Sequence, residues 1–180
     1  EKIDDLITTD EDGSRILGAV DIYGLMFHGP RFQPLKGVVA TIETTSGTGI
    51  EARVNSIQDL PDPRLFNIRG KAIIPDLTSY PMLIESCFQA AGLTSMDLDS
   101  AESLPVGAKR ILIAGEIPEG SLTVTSVRKG SETNGTFVHE SVIRLDGSPI
   151  MRIDGLKMKK LRDLNDDQRP GLAEYSGELA

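Results

Sequence analysis

Glu85 and Gln89 stand four residues apart in a segment, Tyr80-Pro81-Met82-Leu83-Ile84-Glu85-Ser86-Cys87-Phe88-Gln89, that is otherwise almost wholly apolar. In a helix that spacing stacks the two polar side chains on one face. Desolvating a carboxylate costs several kcal/mol, so a glutamate carried into a buried helix must be paired, hydrogen-bonded or put to chemical use. A structural pair is the commoner outcome for a lone glutamate, and the surrounding residues decide. The single cysteine, Cys87, lies in the same apolar run, which excludes an internal disulfide and a Cys-based zinc site and leaves a small buried thiol. No His/Asp/Glu group has metal-ligand spacing, and the glycines are scattered at turns rather than gathered into a nucleotide-binding loop.

The polar pair needs a helix to carry it, and the pattern predicts one over about 79–96. Ser79 is a suitable cap, and Pro81 is tolerable in the first turn. Met82, Leu83, Ile84, Cys87, Phe88, Ala90, Ala91, Leu93 and Met96 cover most of its circumference, so the helix should be buried on more than one side. Strands are expected at 35–44 and 49–55 around a Ser46-Gly47-Thr48 turn, then at 108–114, 121–128, 135–145 and 149–160. Asp146-Gly147-Ser148-Pro149 joins the last two as a hairpin. His139, in the alternating run from Thr136 to Ile143, reads as an ordinary strand residue. A strand pair, one helix and four strands give an α+β domain in which a strongly curved antiparallel sheet wraps around one long central helix.

The 180 residues suit a single domain. Residues 1–15 read as an acidic leader, 16–161 as the domain and 162–180 as a flexible tail or linker. With no Trp and 4% aromatics the core must be aliphatic. A formal net charge of -8 argues against a nucleic-acid partner. No run is long enough for a membrane span and no targeting signal opens the chain, so a cytoplasmic protein is expected. Glu1, where a Met would begin a complete chain, suggests a piece of a longer polypeptide.

Two motifs carry a family resemblance. Residues Tyr80 to Gln89 resemble the His-Pro-x-Leu-Leu-Asp-x-x-x-Gln motif of polyketide synthase dehydratase domains, and Phe27-His28-Gly29-Pro30-Arg31-Phe32-Gln33-Pro34-Leu35 resembles their Tyr-Gly-Pro-x-Phe-Gln-x-Leu motif. Leu104-Pro105 before a strand, and Asp146-Gly147 followed by Ile153-Asp154-Gly155-Leu156, match in order, so the resemblance runs from about Tyr23 to Leu161. His-Gly-Pro for Tyr-Gly-Pro is similar to the dehydratase-like regions of iterative synthases that make polyunsaturated fatty acids or enediynes. The stretch Leu83-Ile84-Glu85 through Gln89-Ala90 to Gly92 is similar to the helix of stand-alone bacterial 3-hydroxyacyl-ACP dehydratases, whose acid is Glu.

The resemblance implies a hot-dog fold and the removal of water from a 3-hydroxyacyl thioester. That reaction needs a base for the C2 proton and an acid for the leaving hydroxyl, and in these families a His and a carboxylate share the work. Glu85 matches the carboxylate, and burial should raise its pKa toward a proton-donating form. Gln89 is placed to orient Glu85 or to bind the hydroxyl or the departing water. The family's histidine belongs to a His-x-x-x-Gly-x-x-x-x-Pro motif that this chain lacks, so the chain resembles the second, C-terminal hot dog, and a partner hot dog is expected to supply the base. His28 is the internal candidate for that base; otherwise it packs in a loop shaped by Gly29 and Pro30. Phe32 and Tyr23 are candidate tunnel residues with packing roles as the plain alternative. No cofactor is expected in the domain itself, because the acyl group arrives on the phosphopantetheine of an acyl carrier protein. A non-catalytic scaffold for dimerisation or carrier docking, and a hot-dog thioesterase, are the competing readings.

Overall fold

The structure, a computed structural model, describes residues 17–29, 32–55, 76–114, 119–165, 168–170 and 172. Eight strands and two helices follow in the order β1 (Leu17–Gly18), α1 (Ala19–Leu25), β2 (Leu35–Thr44), β3 (Gly47–Val54), α2 (Asp76–Asp99), β4 (Ala101–Gly107), β5 (Arg110–Ile113), β6 (Leu122–Glu132), β7 (Thr136–Leu145) and β8 (Ser148–Asp163). The strands form one antiparallel sheet in the order β1-β2-β3-β6-β7-β8-β4, with β5 also paired to β8. The sheet packs on α2 through β3, β4, β6, β7 and β8. This is the curved sheet around one helix that the apolar pattern predicts.

From Met82 to Asp97 nearly every α2 residue is buried, which answers to the apolar circumference of that segment. Two of its buried hydroxyls are satisfied locally: Ser86 donates to the Leu83 carbonyl at 2.7 Å and Thr94 to that of Ala90 at 2.8 Å. The helix begins at Asp76, about a turn before the expected Ser79, and Pro81 is therefore inside it rather than in the first turn. Leu83, Cys87, Ala90, Ala91 and Leu93 meet Val38, Ile50, Val124, Ile143 and Ile153 from the sheet in one aliphatic core.

β7 and β8 lose register midway along their pairing. His139 pairs with Leu156 and Ser141 with Ile153, so β8 carries one extra residue across that interval. Gly155 occupies the bulge at φ +59°, a left-handed conformation that glycine adopts without steric penalty. Beyond the bulge the outer edge of β8 passes from β5 to β4.

Three elements went unforeseen: β1 and α1, both too short for a periodic signal, and β4, where Leu104-Pro105 lies inside a strand rather than ahead of one. The segment from 162, expected as a mobile tail, starts within β8, and Leu164, Pro170 and Leu172 are buried. Leu172 donates its amide to Asp97 Oδ1 at 2.9 Å and Arg169 donates to the Asp97 carbonyl at 3.0 Å, closing the end of α2. The expected leader lies outside the described residues.

Candidate active site

Glu85 and Gln89 do share one face of α2, and Gln89 Nε2 donates to Glu85 Oε1 at 3.0 Å. The loop after α1 brings His28 to the same oxygen: His28 Nε2 stands 2.9 Å from Glu85 Oε1. A carboxylate accepts only, so Nε2 carries the hydrogen. In the neutral ring Nδ1 then holds the lone pair, and that atom is buried with no partner among the described residues. Phe27 stacks on the imidazole, ring centroids 4.5 Å apart. A histidine in this chain, the internal candidate His28, thus lies against Glu85. The sequence hides this contact because 57 residues separate the two positions.

Behind the pair a chain of hydrogen bonds fixes Gln89. Its other amide hydrogen goes to the Phe32 carbonyl at 2.9 Å, and its oxygen accepts from Tyr23 Oη at 3.0 Å. Tyr23 in turn accepts the Leu35 amide at 2.8 Å, which ties α1 and β2 to α2. Burial, aided by the Glu85 charge and opposed by the Leu35 bond, pushes the phenol well above its usual range, so it stays a donor. With both amide hydrogens engaged inside the protein, Gln89 has the bonding of an orienting residue.

Burial is the largest influence on the Glu85 carboxyl and pushes it up. The hydrogen bonds from His28 and Gln89, with the charge of His28, together outweigh burial and hold the group below its ordinary value. The expected rise is therefore reversed: the partners convert a buried acid into a stabilised carboxylate.

A cavity of about 420 Å³ opens in front of the pair. His28, Gly29, Phe32, Glu85 and Gln89 all line it. Tyr23 is not among the lining residues and acts from behind Gln89, and Pro30 lies outside the described residues. Sequence reasoning missed Met26, Gly92, Met96, Ser103 and Met158, which form much of the remaining wall. Gly92 and Met96 follow Glu85 at i+7 and i+11, a spacing from which they could have been found. Among the described residues no group of His, Cys, Asp or Glu side chains could hold a metal ion.

His139 belongs to a different place. It is fully buried on β7, its Nε2 3.2 Å from Ser95 Oγ, and burial with the nearby Arg128 charge lowers its pKa to about 3. It is a neutral core residue, in line with its reading as part of a strand.

A curved antiparallel sheet wrapped on one long helix defines a hot-dog domain. Residues 23–168 match the family model described as the polyketide synthase dehydratase N-terminal domain, and the chain belongs to that family. The description names the N-terminal domain, whereas the motif order pointed to a C-terminal half; it supports the family and not that placement. Similar solved structures include the dehydratase domain of PpsC from Mycobacterium tuberculosis, in complex with C12:1-CoA, at 22% identity, TM-score 0.51, covering 81% of this chain and 52% of that one. The dehydratase domain of RzxB from Pseudomonas fluorescens is similar at 19% identity and TM-score 0.53, with 86% and 52% covered. A hypothetical thioesterase from Streptococcus pneumoniae, solved with coenzyme A, is similar at 13% identity and TM-score 0.51, with 82% and 100% covered. These likenesses speak to the fold. The chain spans about half the length of the dehydratase chains it matches. No curated protein matches the sequence.

Proposed function

We propose that the chain is a dehydratase unit of a multidomain polyketide or fatty-acid synthase, converting a 3-hydroxyacyl thioester to the 2-enoyl thioester with its own His28 and Glu85. The observation that carries this reading is the 2.9 Å contact between His28 Nε2 and Glu85 Oε1 at the polar end of the cavity. Glu85 holds the imidazole in the tautomer that leaves Nδ1 free and stabilises the imidazolium once it forms, as the carboxylate of a catalytic triad does. Once the imidazole turns to bring the buried Nδ1 to the cavity, Nδ1 takes the C2 proton, the C2–C3 double bond forms as the C3–O bond breaks, and the proton leaves with the hydroxyl oxygen as water. Gln89 and Tyr23 hold Glu85 in place. Gly29 and Phe32 contact the substrate.

The acyl group arrives on the phosphopantetheine arm of an acyl carrier protein, in the cytoplasm, and the arm belongs to the carrier. The length of the chain, about half that of the matched dehydratases, supports work beside a second hot dog, either an adjoining half or another copy. The scaffold reading rested on a missing histidine, and the position of His28 weakens it.

Turnover of a 3-hydroxyacyl N-acetylcysteamine thioester by the wild-type chain, Glu85→Gln and His28→Gln tests the assignment. Each substitution should lower kcat roughly 10²–10⁴-fold. Loss in Glu85→Gln with full activity in His28→Gln would return the base to a partner hot dog. Wild-type turnover by Glu85→Gln would remove the dehydratase reading, and release of free thiol would replace it with a thioesterase.

A further inference from the structure

Phe27 and His28 are neighbours in sequence, and consecutive side chains of an extended chain point to opposite sides. The loop after α1 departs from that rule, because the two rings stack with centroids 4.5 Å apart and planes inclined by 19°. Phe27 is 70% exposed and takes no part in the hydrophobic core, so core packing does not explain its place. It meets the imidazole instead, and it lines the cavity. The backbone beside it is pinned: the His28 carbonyl accepts Gln33 Nε2 at 3.1 Å, and the Gly29 carbonyl accepts the Phe32 amide at 2.8 Å. With the loop held, His28 moves by its side-chain bonds. Glu85 holds the imidazole at Nε2 alone, and Nδ1 has no partner among the described residues. One contact at the ring edge leaves the tilt of the ring open, and the Phe27 face closes it.

We propose that Phe27 is a positioning residue for His28: its phenyl face holds the plane of the imidazole while the ring turns between Glu85 and the cavity. This rests on the dehydratase reading above, in which His28 meets Glu85 through Nε2 and then brings Nδ1 to the substrate. A displacement within the ring plane, or a half-turn of the ring, keeps the stack, whereas a tilt breaks it. The same face favours the charge that proton transfer creates, because a cation over a phenyl ring is attracted by the ring quadrupole. Leucine fills similar space and offers no flat face. Tyrosine offers the same face and, at so exposed a position, leaves its hydroxyl in water. The two substitutions therefore separate stacking from bulk.

The test uses the full chain. Without substrate, and at a pH where the ring is neutral, nitrogen NMR of the labelled imidazole reads which ring nitrogen carries the hydrogen. The chain has two histidines, so the spectrum of His28→Gln assigns the signals. Wild type should hold the His28 hydrogen on Nε2, and Phe27→Leu should move the signals toward a mixture of tautomers. Phe27→Tyr should restore the wild-type pattern. Both variants should fold, since Phe27 is exposed and outside the core. For a 3-hydroxyacyl N-acetylcysteamine thioester, kcat should fall about ten-fold in Phe27→Leu, with KM changed by less than about two-fold, and should return in Phe27→Tyr. A wild-type spectrum in Phe27→Leu, or one equally disturbed in Phe27→Tyr, overturns the proposal. A raised KM with unchanged kcat also overturns it and makes Phe27 a substrate contact. Absence of turnover by the wild type removes the dehydratase reading, and the spectra still decide the role of Phe27. Turnover with the spectrum and kcat unchanged in Phe27→Leu removes the positioning role alone.

Discussion

The chain has two histidines, and their surroundings give them opposite chemistry. His28 meets a carboxylate at a cavity, whereas His139 is sealed in the core beside Ser95 with the positive Arg128 nearby. Because the pKa of His139 is lowered to about 3 from an ordinary 6.5, the unfolded chain binds a proton that the folded chain refuses across that window. Its effect on stability is therefore absent above pH 6.5 and grows as pH falls toward 3. At pH 5 the loss should be on the order of 2 kcal/mol. Urea midpoints measured from pH 7 to pH 4 should fall steeply for wild type and less so for His139→Gln; parallel curves would show that His139 does not titrate this way. At this scale the sequence disclosed whatever was local. The four-residue spacing of Glu85 and Gln89 reads directly as one helix face, and the alternating run around His139 as a strand. The direction of the Glu85 shift depends on His28, a contact made across the fold, and the i,i+4 pattern carries no trace of it.

At the scale of elements, long and strongly patterned segments were legible and short or interrupted ones were not. The α2 helix, the β2–β3 pair and the β7–β8 hairpin follow from apolar periodicity and turn residues. The β4 strand was hidden because Glu102, Ser103 and Pro105 are poor strand formers, tolerated here because β4 is an edge. The bend in β8 is similarly silent until the register is known, since Asp154-Gly155 reads as an ordinary glycine position. In the fold it has a definite function: the bulge lets one long strand pair first with β5 and then with β4, turning the sheet around α2. Gly155→Ala should cost about 1–2 kcal/mol from the left-handed conformation alone. A Cβ there also lies 3.0 Å from Lys109 Cβ, which adds crowding to the conformational penalty. Urea unfolding of the variant at pH 7 is the measurement, and an unchanged midpoint would mean that β8 bends without needing this glycine.

At the scale of the whole molecule, the sheet ends on one side in β4 and β5, which among the described residues pair with β8 alone. All four β5 residues are exposed, and Ile111, Leu112 and Ile113 are three consecutive large apolar side chains, so both faces of the strand are apolar and open. Val106 on β4 adds to the same edge. A short strand whose outer edge has no partner among the described residues, with apolar side chains on both faces, is a template for pairing, which proteins normally cover or charge. The nearby charges, Lys109 just before the strand and Arg110 at its start, precede its apolar run and do not interrupt it. If the chain works beside a second hot dog, as proposed above, this edge is where it would pair, and for the chain alone the partner to test is another copy of itself. Light scattering across a concentration series should therefore give a dimer mass for the wild-type chain. Leu112→Lys should shift the equilibrium to monomer while leaving the circular-dichroism spectrum intact, because the side chain is already exposed and supports none of the core. A wild-type chain that stays monomeric at the highest concentration, or a Leu112→Lys variant that dimerises as well as wild type, would place the pairing surface elsewhere.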